Sequence, residues 1–210
     1  MATLKIDPST IAQRSDMPHG VYHLSENPNL FEIARNNNFE FIVEFNKDGN
    51  GRPLLKAGMA GDETDAYIEN GQELLRLSVN QSSIPHFTQR PIQVKRGNNT
   101  LNYAGVPEFA NHTIQVIDFI GADAKEILMA WQNLSYNIDT EKVGLISDYK
   151  KDCWLFEYSP DYQLVRKWKL FGCWISEIRE SDFSADSNDK RQITVTIIYD
   201  KAKIDRTDEI

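Results

Sequence analysis

"KWKLFGCWISEI", Lys167 to Ile178, begins as a strand and then breaks its own rhythm. Leu164, Arg166, Trp168 and Leu170 alternate with Val165, Lys167, Lys169 and Phe171, the period of two expected of a half-buried strand. Gly172 interrupts the alternation, and another tryptophan, Trp174, follows almost at once. A glycine inside a strand marks a bulge, a corner or simply an end. The fold turns on which of these it is.

Strand signals dominate the flanking sequence. "NFEFIVEF", Asn38 to Phe45, sets Phe39, Phe41, Val43 and Phe45 on one face and Glu40, Ile42 and Glu44 on the other. Further strands are expected at Leu74–Val79, Pro91–Arg96, Leu101–Gly105 and His112–Ile120, with a turn at Gly97–Asn99. Cys153–Tyr158 and Leu164–Phe171 flank the turn "SPDY" as a hairpin, and Gln192–Asp200 is a strand rich in β-branched residues. The period changes once. Ala124, Ile127, Leu128, Trp131 and Leu134 share one helical face, and Asp123 with Glu126 gives a capping-box-like start, so a helix is expected over Ala124–Tyr136. The expected class is mainly β, an antiparallel sandwich or barrel with one flanking amphipathic helix.

Three segments stand apart from this series. Residues 1–30, broken by Pro8, Pro18, Gly20 and Pro28, read as an extended N-terminal arm. The β domain is expected over 31–200 and carries an inserted loop at 46–72. There Asn46, Asp48, Asn50 and Gly51 imitate half of an EF-hand, but Ala57 stands where the bidentate Glu belongs, so the segment reads as an excursion between strands. Residues 201–210 read as a charged C-terminal tail.

The 210 residues carry a net charge of −8, which argues against a nucleic-acid reader with a basic stripe. No window approaches a membrane-spanning helix, and "MATLKIDPSTIAQRSDMPHG" lacks the apolar core of a signal peptide. Cys153 and Cys173 are therefore expected to be reduced and buried. No catalytic set stands out. His19, His23, His86 and His112 lack metal-ligand spacing, and no G-x-S-x-G, Walker loop or C-x-x-C occurs. Catalytic, cofactor-binding and metal residues are accordingly read as none, and the protein as not an enzyme.

The order of elements carries a resemblance. "NPNLFEIARNNNFEFIVEF", "SSIPHFTQRPIQVKRGNNTLNYAGVPEFANHTIQV", "AKEILMAWQN", and "WKLFGCWISEI" with "ITVTIIYD" together resemble the tail tube protein family of contractile-tailed bacteriophages. That family is similar to the inner-tube proteins of type VI secretion and related injection machines. The likeness spans about Asn27 to Asp200 apart from the 46–72 excursion. Two features depart from it: Ile175 stands where the family usually has proline, and the first two strands are joined by a longer insertion, which also resembles baseplate tube-initiator rings.

The resemblance implies a structural virion protein. Subunits would form stacked hexameric rings, each giving strands to one closed multi-subunit barrel through whose lumen DNA passes without specific binding. It implies tail sheath, baseplate or initiator, tail terminator and tape-measure proteins as partners, no membrane, and a place in the virion tail after assembly in the host cytoplasm. Closing a sheet across subunits removes edges that would otherwise template aggregation. Gly172 is then the corner at which the chain leaves one sheet for another, with Trp168 and Trp174 on either side. Acids would suit the lumen, with Glu40 or Glu44 as candidates, and the arm, the 46–72 loop and the tail would make ring-to-ring contacts. A baseplate initiator ring or injection-system inner tube is the alternative within the class. A monomeric ligand-binding β-barrel is the alternative outside it.

Overall fold

The computed structural model describes residues 33–45, 71–120, 124–186 and 188–205. The arm at 1–30, the 46–70 part of the excursion with its calcium-loop mimic, and residues 206–210 lie outside the described residues.

The alternating segment after Asn38 forms β1 (Phe39–Glu44), with Phe41 and Val43 buried and Glu40, Ile42 and Glu44 turned away. The next element differs from the expected strand at Leu74–Val79. It is helix α1 (Gly71–Ser78) followed by β2 (Val79–Ser82), so the excursion ends before Gly71. Gly71, Leu75 and Ser78 are buried at helical spacing, whereas Leu77 is 71% exposed. A short run of leucines fits both periods, and packing decides between them.

Two small pairs follow: β3 (Phe87–Gln89) with β6 (Pro107–Phe109), and β4 (Ile92–Arg96) with β5 (Asn99–Tyr103). Gly97, at φ +61°, makes the tight turn of the second pair. β7 (His112–Ile117) leads to α2 (Ala124–Ser135), the helix expected from its apolar stripe. Its Ala124, Ile127, Leu128 and Trp131 are buried. Two helices that the sequence reading lacked, α1 and the single turn α3 (Ile146–Tyr149), pack against α2. Between α2 and α3 lie the short β8 (Tyr136–Asn137) and β9 (Lys142–Val143). Then come β10 (Lys151–Tyr158), β11 (Leu164–Glu180), β12 (Gln192–Ile198) and β13 (Lys201–Asp205). The stretch read as a tail is thus, through Asp205, a strand paired with β11.

β11 continues through Gly172 and belongs to two sheets. Its first part lies between β10 and β13, and β1 completes that sheet on the far side of β10. Its second part, Trp174 to Glu180, pairs with β12, which pairs with β7 and then β2. Every ladder is antiparallel. β12 and β13 follow the same edge of β11 in one register, since Trp174 faces Ile198 and Phe171 faces Lys201, equal steps along both strands.

The two sheets bury their inner faces together. Phe41, Val43, Cys153, Leu155 and Leu170 come from one and Ile114, Val116, Ile175, Ile193, Val195 and Ile197 from the other. Phe41 stacks on His112 across the gap with centroids 5.1 Å apart. Trp131 meets Phe45 edge-on at 5.6 Å, and its indole N–H donates to the Tyr149 carbonyl at 2.9 Å. Each such side chain removed from water contributes roughly 1.5–3 kcal/mol.

Candidate functional site: sheet edges and exposed faces

The corner between the sheets is built on Gly172, whose φ is +64°. Leu170 and Cys173 are both buried although three positions apart, so Phe171 and Gly172 form an irregularity that re-aims the strand. The Gly172 N–H donates to the Asp152 carboxylate at 3.3 Å, and the Asp200 N–H donates to the Phe171 carbonyl at 3.0 Å. Lys150 Nζ holds the Asp200 carboxylate at 2.8 and 2.6 Å. Trp168 packs on the core side, and Trp174 meets Tyr149 edge-on at 6.4 Å. The two tryptophans flank the corner as the sequence suggests.

The outward face of the β1–β10–β11–β13 sheet is aromatic and charged. Trp154, Phe156 and Tyr158 stack along β10 at 6.1 and 6.4 Å. Lys169 and Lys167 set their amines 4.9 and 5.7 Å from the Trp154 ring centre, a cation–π arrangement. The acids here are engaged. Trp154 Nε1 donates to Glu44 at 2.6 Å, Tyr158 Oη donates to Glu40 at 3.1 Å, Lys169 pairs with Asp152 at 3.1 Å and Lys167 with Asp205 at 3.0 Å. Burial, with the Glu40 carboxylate after it, raises the Tyr158 pKa.

The outward face of the other sheet is different in kind. Thr113 and Gln115 of β7, Gln192, Thr194 and Thr196 of β12, and Gln81 of β2 supply hydroxyls and amides. Register lines them into rows: Arg179, Thr194, Gln115, Gln81, and beside it Glu177, Thr196, Thr113. Glu177 and Arg179 pair with each other at 2.7 Å.

Two features stand open among the described residues. β2 and the Trp174–Glu180 part of β11 flank the second sheet, and each has a ladder partner on one side only among the described strands. The β4–β5 hairpin is exposed along its whole length. Its cross-strand pairs Ile92–Tyr103 and Val94–Leu101 put four apolar side chains on one face, opposite Gln93–Asn102 and Lys95–Thr100. A two-stranded hairpin with an uncovered apolar face is marginal in water and needs a surface to lie on.

Residues 37–203 match the family model described as T4-like virus tail tube protein gp19. The chain belongs to that family. This tail tube protein is 27% identical over 122 residues to tail tube protein gp19 of Enterobacteria phage T4, a match covering 57% of this chain and 75% of the phage T4 protein. Its fold is similar to a chain of an extracellular contractile injection system solved as the PVC sheath–tube complex in the extended state. There the TM-score is 0.57 and the identity 16%, over 90% of this chain and 100% of that one. It is also similar to chains of the anti-feeding prophage tube-terminating cap, with TM-score 0.55 and 15% identity over 83% and 92% of the two chains, and of the anti-feeding prophage baseplate, with TM-score 0.55 and 13% identity over 84% and 97%.

Other residues singled out in the sequence have structural settings in this tail tube protein. Cys153 and Cys173 are free and fully buried, and burial together with the neighbouring Cys173 thiol raises the Cys153 pKa well above its usual value. His112 is buried between Ser82 Oγ at 3.1 Å and Ser83 Oγ at 3.2 Å, one at each ring nitrogen, and burial lowers its pKa to about 4. His86 is exposed, while His19 and His23 lie outside the described residues. Among the described residues, no group of three or more His, Cys, Asp or Glu could hold a metal ion. The exposure of the β4–β5 hairpin is not evident from the sequence alone, although its two strands and turn are. Its one usable signal was two short alternating strands with polar turns on both sides.

Proposed function

We propose that this chain forms hexameric rings that stack into the tail tube of a contractile-tailed phage, a conduit through which DNA passes without being bound specifically. The role is structural, not catalytic. The observation that carries the reading is the uncovered apolar face of the β4–β5 hairpin, Ile92, Val94, Leu101 and Tyr103, which a neighbouring copy would bury. Membership of the tail tube family supports a second copy as the occupant, and so do the open edges at β2 and Trp174–Glu180, which other copies would complete.

In this reading the sheath surrounds the tube, a baseplate or initiator ring nucleates it, a terminator caps it and a tape-measure protein sets its length. Similarity of fold to chains from sheath–tube, cap and baseplate assemblies supports this setting. The subunit is assembled in the host cytoplasm and ends in the virion tail.

Sizing chromatography and negative-stain microscopy of the purified protein test the proposal. Filaments with a central channel are expected. Isolated rings that never stack would assign the chain to an initiator. Monomers at high concentration, even with the nucleating partners present, would overturn the assembly reading in favour of a self-contained barrel.

A further inference from the structure

We infer that residues 87–108 form a preset spur, locked at its root by Tyr199 and His112, so that the exposed hairpin meets a neighbouring copy already aimed and ordered. The use of that aim rests on the tube reading above. The lock itself is a property of the single subunit.

The spur has a narrow root. From Phe87 to Glu108 every residue is exposed except Gly105, which is half-buried. A two-stranded ribbon of this kind does not hold its own direction in water. Here the chain entering the spur and the chain leaving it are tied together. His112 sets one ring nitrogen 3.1 Å from Ser82 Oγ and the other 3.2 Å from Ser83 Oγ, so a single imidazole bridges the two. The Ser83 N–H donates to the Thr113 carbonyl at 2.9 Å, and the Thr113 N–H donates to Ser83 Oγ at 2.9 Å. One step further out, the His86 carbonyl accepts from the Ala110 N–H at 3.1 Å and from the Tyr199 hydroxyl at 3.4 Å.

A row of rings then fixes direction. Phe41, His112, Tyr199, Phe109 and Phe87 follow one another at centroid distances of 5.1, 6.5, 5.8 and 5.7 Å, from the core strand β1 out to the base of the spur. Tilted and edge-on ring pairs prefer particular angles, which contacts between aliphatic side chains do not. Tyr199 is 6% exposed and lies in the turn between β12 and β13. Its neighbour Asp200 is held at the Gly172 corner by Lys150 and by the Phe171 carbonyl. The residue that aims the spur is thus seated by the corner. Beyond the root, a β-carbon on Gly105 would run into the Arg90 carbonyl oxygen, and Arg90 pairs with Glu108 at 3.2 Å, so the two chains stay closely joined on the way to the hairpin. A surface ordered before contact loses less freedom when it docks, which strengthens association without adding a contact.

Spin labels test the lock in dispersed full-length subunits. Asn98→Cys at the tip of the spur and Lys203→Cys on β13 are at exposed positions, while the native Cys153 and Cys173 are fully buried and stay unlabelled. Pulsed electron paramagnetic resonance on this parent protein is expected to give one narrow distribution of label-to-label distances. Tyr199→Leu should broaden it, and Tyr199→Phe, which keeps the ring, should leave it close to the parent. Phe109→Leu repeats the test from the base of the spur should Tyr199→Leu fold poorly. Leu128→Ala in α2 is the control for general loosening, expected to lower the urea midpoint and leave the distances unchanged. A broad distribution in the parent, unchanged distances in Tyr199→Leu and Phe109→Leu, or equal broadening in Leu128→Ala would overturn the lock. Filament growth tests its use. Tyr199→Leu is expected to grow more slowly than the parent at equal concentration, and equal growth despite broadened distances would overturn the claim that the aim serves assembly. A parent that makes no filaments would remove the tube reading, and with it that claim, while the distances would still decide the lock.

Discussion

Asp200 lies against Gly172 so closely that its carboxylate occupies the place where a β-carbon on residue 172 would go. The backbone there, at φ +64°, is one that other residues adopt only at a cost of about 1–2 kcal/mol. Gly172→Ala combines strain with a clash and is expected to destabilise the protein by about 2–4 kcal/mol. Adding Asp200→Ala should recover the steric part while leaving the backbone part. A double-mutant cycle by urea denaturation measures the coupling, and strict additivity would show that the two residues do not interfere.

Acid should loosen the core through His112. Its pKa is lowered to about 4 in the folded chain by burial, against about 6.5 when unfolded. Below pH ~6.5 the unfolded state binds the extra proton first, so stability falls with decreasing pH until the folded pKa is reached. The loss amounts to about 3 kcal/mol by pH ~4. Urea midpoints across this range should fall less steeply for His112→Gln than for the wild type. Parallel slopes would assign the acid sensitivity elsewhere.

Removing the hairpin's apolar character should separate folding from assembly. Val94 and Leu101 are about two-fifths exposed and face each other across the strands, so Val94→Lys with Leu101→Asp, which sets opposite charges side by side, should change subunit stability by no more than about 1 kcal/mol. The same change is expected to abolish filaments in negative stain. Filaments of normal length from that variant would mean the hairpin face is not an assembly surface.

The two cysteines should be silent until the protein opens. Both are fully buried, and burial disfavours the reactive thiolate of Cys153. A colorimetric thiol reagent should therefore titrate neither in native buffer and both in denaturant. Rapid reaction of the native protein would contradict the packing of β10 against β11.

Much of this architecture was legible because one sheet face is buried and a period of two then leaves its mark, as at Phe39–Phe45. Gly172 was legible for a related reason, since an aromatic strand interrupted once by glycine needs a geometric cause. Leu74–Val79 was not. Leu74, Leu75 and Leu77 suit either period, and the choice came from Leu75 and Ser78 fitting the core while Leu77 stays outside. The hairpin misleads in the opposite direction. Ile92 and Val94 alternate like core residues, yet both stay exposed among the described residues, and a single sequence does not distinguish a face buried by its own fold from one left open. The Thr–Gln rows were invisible because they exist only through cross-strand register, with Gln81, Gln115 and Thr194 far apart along the chain.

One continuous backbone from Leu164 to Glu180 is a member of both walls of the subunit. A pull or twist applied to either wall is therefore borne by covalent bonds, not by the soft seam of side chains between the layers. Such a subunit yields at its rims before its layers slide, a useful property in a pipe driven lengthwise by a contracting sleeve.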